Sequence, residues 1–60
     1  MTSDDYRAGY RDGHSDGFCD ALRGGPRTPL PRTAEPDSHR GYRDGYRVGY
    51  QLGRQRRPRS

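Results

Sequence analysis

The sequence predicts an all-α fold, a two-helix hairpin with glycine and tyrosine ridge-in-groove packing. Three observations carry that expectation: a four-residue repeat, its return after a proline-rich break, and helix start and stop signals around each copy. The repeat reads YRAG, YRDG, HSDG and FCDA from Tyr6, then YRDG, YRVG and YQLG from Tyr42. A period of four lies near the 3.6 residues per turn of an α-helix and far from the period of two of a strand. The two runs make the chain an internal duplication.

Helix 1 is expected over residues 4–23, within a first unit spanning 1–23. Thr2 or Ser3 followed by Asp4 and Asp5 suits a capped start and its dipole, and Arg23, Gly24, Gly25 and Pro26 form a stop signal. Residues 24–37, GGPRTPLPRTAEPD, hold four of the five prolines and read as a linker. Helix 2 is expected over residues 38–57, with Asp37 or Ser38 as its cap and Arg54, Arg56 and Arg57 before Pro58 at its close. Residues 58–60 are left as a basic tail.

Within each helix the tetrads make rows. Gly9, Gly13, Gly17, Gly41, Gly45, Gly49 and Gly53 form a side-chain-free groove, and Tyr6, Tyr10, Phe18, Tyr42, Tyr46 and Tyr50 form a ridge beside it. His14 stands in the ridge where a tyrosine would be. Each helical glycine costs about 0.8–1 kcal/mol relative to alanine, so neither helix should persist alone. Ridge-into-groove packing of this kind favours a crossing near −50° and brings backbones close enough for Cα–H to carbonyl contacts. Rings from the facing helix are expected to fill the glycine notches. If the pair alone is insufficient, a homodimer completes it. Extended proline-rich chain rises about 3.1 Å per residue, so the linker is long enough for a hairpin, a parallel pair or a swapped dimer. Antiparallel is the expectation, because it is the common outcome for neighbouring helices and opposes their dipoles favourably.

Composition narrows the function. Phe18, Leu22, Leu30, Val48 and Leu52 are the only Leu, Ile, Val or Phe residues among sixty, a composition also typical of disordered Arg-, Gly- and Tyr-rich segments. A core of that size does not enclose a substrate pocket, and no nucleophile has a base near it in sequence, so the chain is expected to be non-enzymatic. One cysteine excludes an intramolecular disulfide. No catalytic, cofactor or metal site is expected: His14 and Cys19 do not share a helical face, and the Asp12, Asp16 and Asp20 ladder reads as a solvated face. Arg or Asp in almost every tetrad argues against a membrane helix, and the acidic N-terminus MTSDDYRAGY is unlike a signal peptide, so a cytoplasmic protein is expected.

The remaining class is binding. Residues 1–23 carry five Asp against three Arg, and residues 38–60 carry seven Arg against one Asp, so the halves should attract. Val48 and Leu52 stand where the first copy has Asp16 and Asp20, which suits either a wider buried face or a docking spot for another chain. With Arg43 and Arg47 they form the expected protein-binding surface. The alternative is a basic nucleic-acid-binding accessory protein using Arg54, Arg56, Arg57 and Arg59. Arg23, Pro26 and Pro29 also fit the RxxPxxP pattern that SH3 domains read. Exclusive use of arginine over lysine suits a GC-rich bacterial or phage genome.

The tetrads YRAGYRDGHSDGFCDA and GYRDGYRVGYQLG resemble the glycine-x-x-x repeat of the small helical adaptor proteins of cytosolic iron–sulfur cluster delivery. The resemblance covers about half of the chain. It implies helical packing through glycine notches and an adaptor role. The proline linker interrupts the run, and RQRRPRS lacks the terminal tryptophan of those adaptors, so the iron–sulfur role is not carried over.

Overall fold

The structure, a computed structural model, describes residues 3–25 and 35–56. It is all-α. Helix α1 spans Asp4–Arg23 and helix α2 spans Pro36–Arg56, and the two pack directly on each other with no strand among the described residues.

Helix α1 begins as its residues dictate. Ser3 is extended (φ −70°, ψ 156°) and its Oγ accepts the Tyr6 N–H at 3.1 Å, which satisfies one of the free amides of the first turn. Asp4 and Asp5 lie in that turn, where the helix dipole favours negative charge. The far end closes on Gly24 at φ 72°, a left-handed conformation that glycine adopts without a Cβ penalty. The Gly24 N–H donates to the Ala21 carbonyl and the Gly25 N–H to that of Asp20, both at 3.0 Å. These are the paired bonds of a Schellman motif.

Helix α2 starts earlier than the expected residue 38, at Pro36. Proline at the first helical position lacks only an N–H that would have no intrahelical partner, and its fixed φ already suits the helix. The His39 N–H reaches the Glu35 carbonyl at 2.9 Å and closes the first turn. Asp37 is therefore a first-turn anion within the helix. The end of helix 2 at residue 57, the tail at 58–60, and Pro26 and Pro29 of the RxxPxxP pattern lie outside the described residues.

The helices run parallel, which corrects the antiparallel expectation. Gly9 faces Ser38, Gly13 faces Tyr42 and Gly17 faces Tyr46, while Gly41 faces Tyr6, Gly45 faces Tyr10 and Gly49 faces His14. Both series ascend together. They also interchange when the two copies are exchanged, so the duplication folds as a pseudo-two-fold pair with its axis along the helices. Row chemistry explains the direction. In a parallel pair, the ring row of each helix flanks the row that precedes the glycines in the other. In an antiparallel pair, like rows would meet, setting Asp12, Asp16 and Asp20 on the seam with Asp44.

The glycine notches are filled by backbone, which corrects the expectation that rings would occupy them. A Cβ added at Gly13 would lie 2.0 Å from the Tyr42 carbonyl oxygen, and one at Gly45 would lie 2.1 Å from that of Tyr10. The α-hydrogen along that direction points at the carbonyl, the geometry of a Cα–H···O contact. An approach this close leaves no room for a ring between the axes. The rings lie alongside, stacked within each row at centroid distances of 6.0–6.2 Å. Contact is unbroken from Gly9 at Ser38 to Gly53 at Phe18. Straight rods crossing near −50° would part before both ends met. A period of four advances the contact stripe by about 40° per tetrad on a 3.6-residue helix, so the pair stays in contact by wrapping right-handedly.

The core is small. Its buried apolar side chains are Ala21, Tyr42 and Tyr46, and Gly9, Gly13, Gly17, Gly41, Gly45, Gly49 and Gly53 are all buried. Ala21 occupies the slot equivalent to Gly53, where an added Cβ would lie 2.6 Å from the alanine methyl. The last notch therefore takes one methyl and not two.

Candidate protein-docking face

Two seams run along the pair, one on each side of the glycine contact. On the first, the rings of α2 meet the pre-glycine row of α1. The Tyr42 hydroxyl donates to Asp16 Oδ2 at 2.5 Å, and the Tyr46 hydroxyl donates to Asp20 Oδ2. The Tyr50 hydroxyl donates to the Gly25 carbonyl at 3.0 Å, so the chain leaves α1 along this side. Tyr42 and Tyr46 are 3% and 1% exposed. Ring, hydroxyl and acceptor are all satisfied, and this seam is closed.

The second seam carries the rings of α1 and the pre-glycine row of α2. It opens like the first: the Tyr6 hydroxyl donates to Asp44 Oδ2 at 2.6 Å. This bond, followed by burial and the carboxylate charge, raises the Tyr6 pKa above that of a free phenol, while Arg40 opposes the shift. Four residues on, the chemistry changes. The register that sets Gly45 at Tyr10 and Gly49 at His14 places Val48 beside Tyr10 and Leu52 beside His14. Neither Val48 nor Leu52 has an oxygen to offer a hydroxyl. Tyr10, His14, Phe18, Val48 and Leu52 are all half-buried, and Leu22, next along the ring row, is 42% exposed. This seam remains partly open to solvent as an apolar strip.

Arginines flank the N-terminal half of the strip. Arg7 and Arg11 flank it on α1, Arg43 and Arg47 flank it on α2, and all four are exposed. Arg40 and Arg56 occupy the ends of the pre-glycine row of α2 and are exposed as well. A groove of about 430 Å³ lined by Tyr6, Arg7, Tyr10 and Arg11 adjoins the strip at its N-terminal end.

The expected docking residues thus come together, with a difference in exposure: Arg43 and Arg47 face solvent, whereas Val48 and Leu52 are half-covered by the pair itself. Arg54 and Arg56, expected for nucleic acid, are exposed in the last turn of α2, and Arg57 and Arg59 lie outside the described residues. The roles of Asp16, Asp20 and Asp44 as hydroxyl acceptors were not anticipated. Their signal was two rows, tyrosine and aspartate, sharing one period. No metal-binding cluster of His, Cys, Asp or Glu exists among the described residues. No helix among them is long and apolar enough to cross a membrane.

No protein-family model, curated protein or solved structure matches this chain.

Proposed function

We propose that this chain is a small non-enzymatic protein-binding module, an adaptor or inhibitor, that docks its partner along the open seam. One observation carries the reading: two seams related by a pseudo-two-fold axis differ, one closed by tyrosine–aspartate bonds and the other apolar and half-exposed. A purely structural duplication has no need of that asymmetry. Replacing Asp16 and Asp20 by their equivalents Val48 and Leu52 removes hydrogen-bond acceptors from one side only. Apolar floor with polar rim is the anatomy of a protein interface. The adaptor role agrees with what the resemblance of the tetrads implies.

The glycine grooves themselves are not the docking site. Each is covered by the other helix, so the notches are spent within the chain. The test uses Cys19, which is exposed and next to Phe18 in the ring row. A photo-crosslinker attached there should trap a specific protein from host extract, and Leu52→Asp should abolish the adduct while leaving the circular dichroism unchanged. Equal trapping by the two proteins refutes the reading.

A second reading is supported by the groove beside Tyr6 and Tyr10. Stacked rings with arginines alongside are the elements with which proteins bind single-stranded nucleic acid. Tyr42 and Tyr46 are buried and Tyr6 is tied to Asp44, which leaves few rings for bases. A salt series with oligonucleotides tests it: binding absent at low salt excludes it.

A further inference from the structure

Resting on the protein-docking reading, we infer that the partner presents an acidic amphipathic helix, whose apolar face lies on the strip of Tyr10, His14, Phe18, Leu22, Val48 and Leu52. Length supports a helix. From Tyr10 to Leu22 the strip runs about 18 Å at 1.5 Å rise per residue, a little over three turns, and it is narrow and follows the pair's long axis.

Charge selects the acidic character. Arg7 and Arg11 on one side and Arg43 and Arg47 on the other, all exposed, flank the N-terminal half of the strip. The same rows continue as the uncharged Ser15, Cys19 and Gln51, and Arg56 follows Leu52 at the far end. Asp44, the carboxylate in the same seam, already accepts the Tyr6 hydroxyl. The remaining half-buried aspartates, Asp16 and Asp20, belong to the opposite seam. An incoming helix therefore meets apolar side chains along its centre, with the His14 imidazole among them, and guanidinium groups on both flanks of the strip's N-terminal half. Acidic residues flanking its apolar stripe complement them, and basic residues are repelled.

The same charges disfavour a second copy as occupant. Two such faces brought together would gather Arg7, Arg11, Arg43 and Arg47 of both copies around one seam whose carboxylate, Asp44, already accepts the Tyr6 hydroxyl. They also separate this site from the tyrosine–arginine groove, whose occupant would contact Arg7 and Arg11 and leave Leu22 and Leu52 uncovered.

The experiment uses the full chain and three synthetic amphipathic helical peptides with one shared apolar face, their flanks built from Glu, Gln or Lys. Binding is read by fluorescence anisotropy. The Glu peptide should bind best, by roughly tenfold or more over the Gln peptide at low salt, and the gap should narrow as salt rises. Leu52→Asp should abolish binding. The double variant Arg43→Glu with Arg47→Glu, at exposed positions, should retain its circular dichroism and transfer the preference to the Lys peptide. If the Gln or Lys peptide binds the unmodified chain as well as the Glu peptide through Leu52, the acidic inference is overturned and protein docking stands. If no peptide binds while a single-stranded oligonucleotide does, both fall.

Discussion

At the scale of single residues, the interface glycines reverse an ordinary rule. Glycine to alanine in a helix interior is normally stabilising by about 0.8–1 kcal/mol. Here a methyl at residue 13 would lie 2.0 Å from the Tyr42 oxygen, a distance that only separation of the axes relieves. Gly13→Ala should therefore lose most of the helical circular dichroism and melt far below the unmodified chain. Gly25→Ala is the control, because its Cβ would sit 3.7 Å from the Asp20 oxygen in ordinary contact. Equal melting of the two variants would refute backbone-filled notches. The Tyr6 hydroxyl supplies a second prediction. Its folded-state pKa is raised, first by the bond to Asp44, so the stability it contributes is complete below the free phenol value near pH 10. That stability drains away as pH climbs past 10 through the higher folded value. Tyr6→Phe should melt below the parent at pH 8, and the difference should shrink between pH 10 and 11.

At the scale of elements, the start of each helix is tied to the other. Ser3 caps α1 through Tyr6 N–H and donates its own hydroxyl to Asp37 Oδ2 of α2 at 3.2 Å. Ser3→Ala should cost about 1 kcal/mol, the usual loss on removing a serine cap. Asp37→Ala should cost less, and the double variant should fall short of the sum, as for residues that share a bond. Strict additivity in thermal melts would show that the two helix starts act independently. Both elements were legible in the sequence because period, caps and stops agreed. The start of α2 was less so, since the final proline of a linker and a proline at the first helical position look alike. The filler of the notches was also hidden. A bare row can accept either a ring or a backbone, and the choice depends on the axial separation that the row itself allows.

At the scale of the whole molecule, direction was the property least visible in sequence, because a linker long enough to run back along a helix permits either arrangement. The decisive information was nevertheless present in the rows. Tyrosine and aspartate meet only in a parallel pair, as Tyr42 with Asp16 and Tyr6 with Asp44 demonstrate. The candidate docking face was half legible: Val48 and Leu52 stood out against Asp16 and Asp20, but the α1 side of the strip required the register. Parallel packing also sets a minimum connection. The segment between Arg23 and Pro36 must span the length of a helix of 20 residues, about 30 Å. A chain reaches at most about 3.3–3.6 Å per residue, so removing six or more linker residues should leave it too short to close on itself. Such a deletion should yield a dimer by light scattering in which each copy lends a helix to the other. A shortened chain that stays monomeric and helical would mean that the pair can reverse its direction.

Parallel alignment also sorts the chain's ions. Asp4, Asp5 and Asp37 gather where both helices begin, and Arg23, Arg54 and Arg56 where both finish. The rod is an electrical arrow with a cationic tip. If an acidic partner docks along the open seam, its approach should be fast in dilute buffer and slow in brine, even where the final grip is greasy.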